Sequence, residues 1–179
     1  MRHPILLIAG PSASGKSTLA ARVAEAAGAN LLSLDSYWKP RAPRLMASVS
    51  GRLVRNFEHP DSYDGARLAA DIAACASKSP CVAEGFALFK YGEILALTGT
   101  RMYLDVPFEV CLLRRIARRP QRPSDQSFQL IGKAETLRTV IPQRDTPGVL
   151  ILDGLRQLDA LVAHVLGAWP PSGVDRAND

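Results

Sequence analysis

Eight residues near the start of the chain carry the plainest chemistry. Gly10-Pro11-Ser12-Ala13-Ser14-Gly15-Lys16-Ser17 fits the spacing G-x-x-x-x-G-K-[ST], in which a glycine loop turns its backbone N–H groups onto phosphate oxygens. In that pattern Gly10, Ser12, Ala13, Ser14, Gly15 and Thr18 form the cradle for a nucleotide. Lys16 reaches the β- and γ-phosphates of ATP, and the Ser17 hydroxyl is a ligand for Mg²⁺. The loop must open a helix, because a helix N-terminus adds free N–H donors and a positive dipole end.

Three further groups could act on a phosphate held there. Asp35 opens Asp35-Ser36-Tyr37-Trp38-Lys39-Pro40, and a carboxylate near the γ-phosphate can take the proton of an attacking hydroxyl. The bland alternative is a solvated aspartate capping the next turn. Glu84 precedes a glycine and suits Mg²⁺ directly or through water. Arg114, Arg115, Arg118, Arg119 and Arg122 lie within nine residues. Arg115, Arg118 and Arg119 share roughly one helical face by i, i+3 and i+4 spacing, and their forked donors suit phosphate. The alternative is a basic face favoured by a helix C-terminus.

Asn56 to Asp64 reads NFEHPDSYD, with two aromatics and three carboxylates in nine residues. Carboxylates accept from the hydroxyl pair of a ribose, and aromatic faces suit a flat base. Seven of the eleven aromatics fall between Tyr37 and Tyr91, which predicts an aromatic wall on the acceptor side. Tyr37, Phe57, Glu58, Asp61, Glu84, Phe86 and Arg115 are the candidate acceptor contacts. His3, His59 and His164 are scattered and show no metal or catalytic spacing.

The elements that must hold these groups can be read from periodicity. Pro4–Ala9, Asn30–Leu34, Pro80–Glu84, Arg101–Val106 and Val149–Leu152 are short apolar runs that suit buried strands. Thr18–Ala27, Asp64–Lys78, Tyr91–Leu97, Glu109–Arg118, Ser127–Val140 and Arg156–Leu166 have helical spacing or composition. Alternation of strand and helix predicts an α/β fold with about five parallel strands and helices on both faces. Ligands of such sheets sit at the strand carboxyl ends, where Ser12–Ser17, Asp35, Glu84 and Asp105 all fall. Residues 36–63 are an excursion on the substrate side, with no clean period over 36–56. Residues 119–125 read as a lid loop and 170–179 as a frayed tail.

Composition bounds the rest. A chain of 179 residues with 47% hydrophobic and 22% charged residues is most simply one domain spanning 1–179. Its net charge is +5; basic charge without a recognition motif is weak evidence for nucleic acid, and none is expected as partner. Cys75, Cys81 and Cys111 have no metal or disulfide spacing, which suits reduced thiols in the cytoplasm. No apolar run is long enough to span a membrane. Oligomeric state, monomer or homodimer, is left open. Asp145-Thr146-Pro147-Gly148 matches the D-x-x-G of GTPases, but it precedes an apolar strand instead of following one. No [NT]-K-x-D motif accompanies it.

GPSASGKS, SLDSYWKP, NFEHPDSYD, VAEGFALF and the arginine run occur in the order found in uridine kinases and the related nicotinamide riboside kinases. The chain resembles that family from about Ile5 to Arg122, with a weaker echo in VLILDG. VAEGFALFKY and DVPFEVCLLRR are most similar to the riboside kinases, NFEHPDSYD to the uridine kinases. The resemblance implies a three-layer P-loop NTPase fold of the nucleoside and nucleotide kinase type. The activity it implies is transfer of the ATP γ-phosphoryl, with Mg²⁺, to the 5′-hydroxyl of a ribonucleoside. Asp35 matches the general base, Phe57 and Glu58 the aromatic–acid pair at the nucleoside, and Glu84 the acid near metal and acceptor. Arg115 and Arg118 match arginines that bind ribose and phosphate from the lid side; Arg118 and Arg122 would also meet ATP. Glu58 replaces the usual aspartate, and the hairpin that covers the base in uridine kinases has no room between Gly65 and Pro80. A kinase of another small hydroxyl metabolite, or an ATP-binding protein without turnover, are the alternatives.

Overall fold

The computed structural model describes residues 3–46, 53–118 and 136–169. Five parallel strands form the central sheet: β1 (Ile5–Ala9), β2 (Asn30–Ser33), β5 (Cys81–Gly85), β6 (Thr100–Asp105) and β7 (Val149–Asp153), in spatial order β2-β5-β1-β6-β7. The central apolar runs become buried strands because both faces of a parallel sheet are covered there, whereas the edge strands β2 and β7, expected to be buried, are largely exposed. β1 and β5 are buried throughout. On one face, Leu6, Ile8, Val82, Met102 and Leu104 pack against α1 (Lys16–Ala27) and α5 (Leu158–Ala168). On the other, Leu7, Ala83 and Tyr103 pack with Leu68 and Ile72 of α2 (Gly65–Ala76) and with Ile94 of the short α3 (Gly92–Leu95). α4 (Phe108–Arg118) follows β6.

Two expectations needed revision. The stretch after Asp35 is not wholly irregular. A 3₁₀ turn spans Leu34–Tyr37, and β3 (Arg44–Met46) pairs antiparallel with β4 (Leu53–Arg55) in a separate two-stranded ribbon. Three-residue strands are too short to show a period. The end of the expected helix over Ser127–Val140 is a single π-helical turn, Thr136–Val140, followed by a 3₁₀ segment, Ile141–Asp145. Residues 127–135 lie outside the described residues, as do the lid loop, Arg119, Arg122 and the tail from 170.

Register sets the level of the site. Ala9 stands beside Gly85 on one side and Tyr103 on the other, and Ser33 beside Glu84. The loops leaving β1, β2 and β5 therefore emerge together. Gln143, 1% exposed, fastens the loop after β5. Its Oε1 accepts from the Phe89 N–H at 2.9 Å, and its Nε2 donates to the Phe86 carbonyl at 2.7 Å. Gln143→Leu leaves both backbone groups buried and unpaired, at about 1–3 kcal/mol each. A urea titration should show the unfolding free energy falling by about 2–6 kcal/mol; an unchanged midpoint would contradict the role given to this side chain.

Candidate active site

The glycine loop takes the shape its spacing demands. Gly10 has φ +156°, and a Cβ there would stand 2.8 Å from the Leu104 carbonyl oxygen. Gly15 caps α1 at φ +101°, and Ala13 is also left-handed at φ +66°. Such backbone is tolerated where surrounding structure imposes it, most often at functional sites. Ser14 is 2% exposed and its Oγ has no hydrogen-bond partner, so a phosphate oxygen at the cradle would supply one.

Glu84 lies under this loop, 2% exposed. Its Oε2 accepts from Ser17 Oγ at 3.1 Å, with Lys16 Nζ at 4.0 Å, and its Oε1 accepts from Ser33 Oγ at 2.5 Å. Ser17, Lys16 and Glu84 thus form one cluster, as their strand-end placement implied. Ser33 joins it because it is the register partner of Glu84, a relation invisible before the strand pairing is known. Hard oxygen donors of this kind suit Mg²⁺, which is commonly held by one or two protein oxygens together with substrate phosphates and water. Among the described residues no three His, Cys, Asp or Glu side chains gather as a metal site; Ser17 and Glu84 are placed where they could hold Mg²⁺ together with substrate phosphate.

The arginines of α4 divide between two faces. Arg114 donates to the Ser14 carbonyl at 2.9 Å and lines, with Arg118, a cleft of about 230 Å³ beside Ala13, Gly15 and Thr18. Arg115 turns the other way and pairs with Glu58, Nη2 to Oε1 at 2.8 Å. Sharing of one face by Arg115 and Arg118 is therefore not what the helix uses. Residues 114 and 118, four apart, point together, while 115 is rotated about 100° from 114. Gly154 and Arg156, in the loop leaving β7, complete the cleft. The strand-end rule, applied to β7 as it was to β2 and β5, would have found them.

On the acceptor side the structure separates surface from core. Glu58 is 6% exposed and Asp35 is exposed on its 3₁₀ turn. Both act on Tyr63: burial first, then the charges of Asp35 and Glu58, push its phenol above the ordinary value. The Tyr63 hydroxyl donates to the Phe57 carbonyl at 3.0 Å. Phe57 is 40% exposed and packs against Trp38, 39% exposed, with ring centroids 5.5 Å apart. Two aromatics expected on the substrate side are core residues instead. Tyr37 is 8% exposed, and its hydroxyl donates to Asp71 on α2 at 2.8 Å. Burial and that bond raise it to about 12. Phe86 is 4% exposed, edge-on to Tyr63 at 5.3 Å. Neither offers an exposed face; the exposed aromatic that packs on Phe57 is Trp38. Asp61 is largely exposed near His59, whose Nδ1 accepts from the Asp61 N–H at 3.1 Å. Asp105 pairs with Arg144 at 3.3 Å.

The family model described as an AAA domain matches residues 5–83, from β1 into β5. Among solved structures, a gluconokinase from Sinorhizobium meliloti 1021 superposes with TM-score 0.59 at 22% identity, covering 92% of this chain and 90% of that one. A shikimate kinase from Bacteroides thetaiotaomicron does so with TM-score 0.61 at 17% identity, covering 93% and 98%. The fold is that of the P-loop kinases. Within it, the sequence likeness runs to uridine kinases. Those of Tolumonas auensis and Aliivibrio salmonicida are 25% and 22% identical, over 90% and 91% of this chain and 95% and 94% of theirs. The resemblance read from the motifs is borne out at that level. Among the described residues no helix is long and apolar enough to cross a membrane.

Proposed function

We propose that the protein transfers the γ-phosphoryl of ATP, with Mg²⁺, to the 5′-hydroxyl of a ribonucleoside. The observation that carries this reading is the Glu58–Arg115 pair, a buried carboxylate and a guanidinium 2.8 Å apart on the acceptor side. A carboxylate accepts from hydroxyls and a guanidinium donates to them, so the pair complements a vicinal diol. The exposed Phe57 and Trp38 rings beside it offer an apolar face for a base. Asp35 takes the proton of the 5′-hydroxyl as its oxygen attacks. Lys16 and the arginines of α4 face the charge that spreads over the transferring group. Mg²⁺, when bound, offsets phosphate charge; Ser17 and Glu84 would hold it. Arg114 and Arg118 flank the phosphate cradle, and the cleft beside them is where the nucleoside end of ATP fits.

A diol read by hydrogen bonds is discriminated strongly, whereas stacking is permissive. We expect 2′-deoxyuridine to be at least about 10²-fold poorer than uridine in kcat/KM, and uridine and nicotinamide riboside to lie within about 10²-fold of each other. A coupled assay over ribosides, deoxyribosides, gluconate and shikimate tests this. Turnover of a sugar acid with none of any riboside would overturn the reading, and equal turnover of riboside and deoxyriboside would remove Glu58 and Arg115 from it.

Arg118→Lys keeps the charge but loses the planar fork. It should lower kcat about tenfold or more, with the protein as stable as before. Full activity would make Arg118 a solvated face.

A further inference from the structure

Besides the arginine run of 114–122, a second stretch of the chain is strongly basic. Residues 36–57 hold Lys39, Arg41, Arg44, Arg52 and Arg55 and no aspartate or glutamate, so this stretch alone has the net charge of +5 that the whole chain has. The remainder is balanced.

Within the ribbon, Arg44 and Arg55 are direct cross-strand partners, and both are exposed. Directly opposed residues of an antiparallel pair project on the same side, and like charges there are destabilising. A two-stranded ribbon is marginal even without that repulsion. Neither arginine has an ion-pair partner among the described residues. Two facing guanidiniums with no carboxylate between them favour an anion there.

The location narrows the anion. The Arg55 guanidinium lies over the Trp38 ring, 4.9 Å from its centroid, and Trp38 packs on Phe57. Phe57 adjoins Glu58, which pairs with Arg115. Contacts therefore run from Arg55 through Trp38 to Phe57, whose neighbour in sequence, Glu58, is half of the diol-binding pair.

We propose that Arg44 and Arg55 bind a carboxylate carried by the acceptor on the edge of its base farthest from the ribose. This rests on the riboside reading above and names its substrate class: ribosides of an acidic base, in preference to their neutral analogues. The ribose fills the Glu58–Arg115 end, the base lies on Phe57 and Trp38, and the carboxylate meets the arginines in charge-assisted hydrogen bonds. A nucleic acid strand would also be drawn to cations beside aromatics. The single step in sequence from the exposed Phe57 to the buried Glu58 favours one riboside over a strand.

Matched pairs isolate the charge: nicotinic acid riboside against nicotinamide riboside, and 5-carboxyuridine against uridine. Turnover tests the riboside reading. Affinity, followed by fluorescence of the exposed Trp38 (Trp169 is buried), tests the arginines whether or not turnover occurs. The wild-type protein should bind the acid of each pair at least about tenfold more tightly at low salt, with the ratio shrinking as salt rises. In Arg55→Gln and in Arg44→Gln the ratio should fall to within about threefold, while Arg55→Lys keeps most of it. Arg44→Gln should also raise the melting temperature, since it removes one of two repelling charges. Acid and amide bound equally by the wild type, or a ratio untouched by Arg44→Gln, overturns the proposal while leaving riboside turnover standing. Tight binding of a single-stranded oligonucleotide that Arg44→Gln weakens, with no acid preference among ribosides, overturns it in favour of a nucleic acid surface. Binding of none of the four ribosides overturns both readings.

Discussion

Lys16→Ala is expected to abolish phosphoryl transfer, with kcat reduced at least about 10³-fold. Lys16 Nζ stands 4.0 Å from Glu84 at the head of α1, so its ammonium is poised at the phosphate cradle. Among the described residues the neighbouring arginines are placed differently, Arg118 lining the adjoining cleft. Arg114 is engaged with the Ser14 carbonyl, and Arg115 with Glu58. The fold should survive, because Glu84 keeps its hydrogen bonds from Ser17 and Ser33 after the lysine is gone. A buried carboxylate with two hydroxyl donors remains satisfied. Circular dichroism and a melting curve near wild type, together with lost turnover, would establish the role. Near-normal turnover in Lys16→Ala would mean that the loop does not hold the transferring phosphate.

Asp35→Asn carries the second large effect. The substitution keeps size and most hydrogen bonding but removes the proton acceptor. Asp35 is exposed on a turn between the Glu84 strand and Tyr63, where its charge adds to the forces holding the Tyr63 phenol protonated. We expect kcat to fall at least about 10²-fold with little change in ATP affinity. A raised riboside KM with kcat intact would assign Asp35 to binding and leave the base unassigned.

The sheet was legible because parallel strands buried on both faces are written as short apolar runs, and PILLIA and PCVAE are such runs. The phosphate loop was legible for a different reason: its glycines answer local backbone demands that hold in any fold. What could not be read depends on pairing across the chain. Ser33 matters through its register with Glu84, and Gln143 through backbone groups 54 and 57 residues away. Burial also misled. Tyr37 and Phe86 look like Phe57 in a sequence, since an aromatic on a stacking surface and one in a core are the same letter. Only the packing of α2 and Tyr63 separates them. The arginine run gave a concentration of donors without their directions, and a rotation of one residue on α4 decides whether a guanidinium faces the Ser14 loop or Glu58.

In the proposed reaction the phosphate goes from ATP to the 5′-hydroxyl of a riboside. Its most direct test is to incubate the protein with Mg²⁺, ATP and, in separate reactions, uridine and nicotinamide riboside, and to locate the new phosphate by phosphorus NMR. The account predicts a 5′-monophosphate from at least one riboside, formed mole for mole with ADP and absent with Asp35→Asn. Hydrolysis of ATP without any phosphorylated riboside, or phosphate on a secondary hydroxyl, would contradict it.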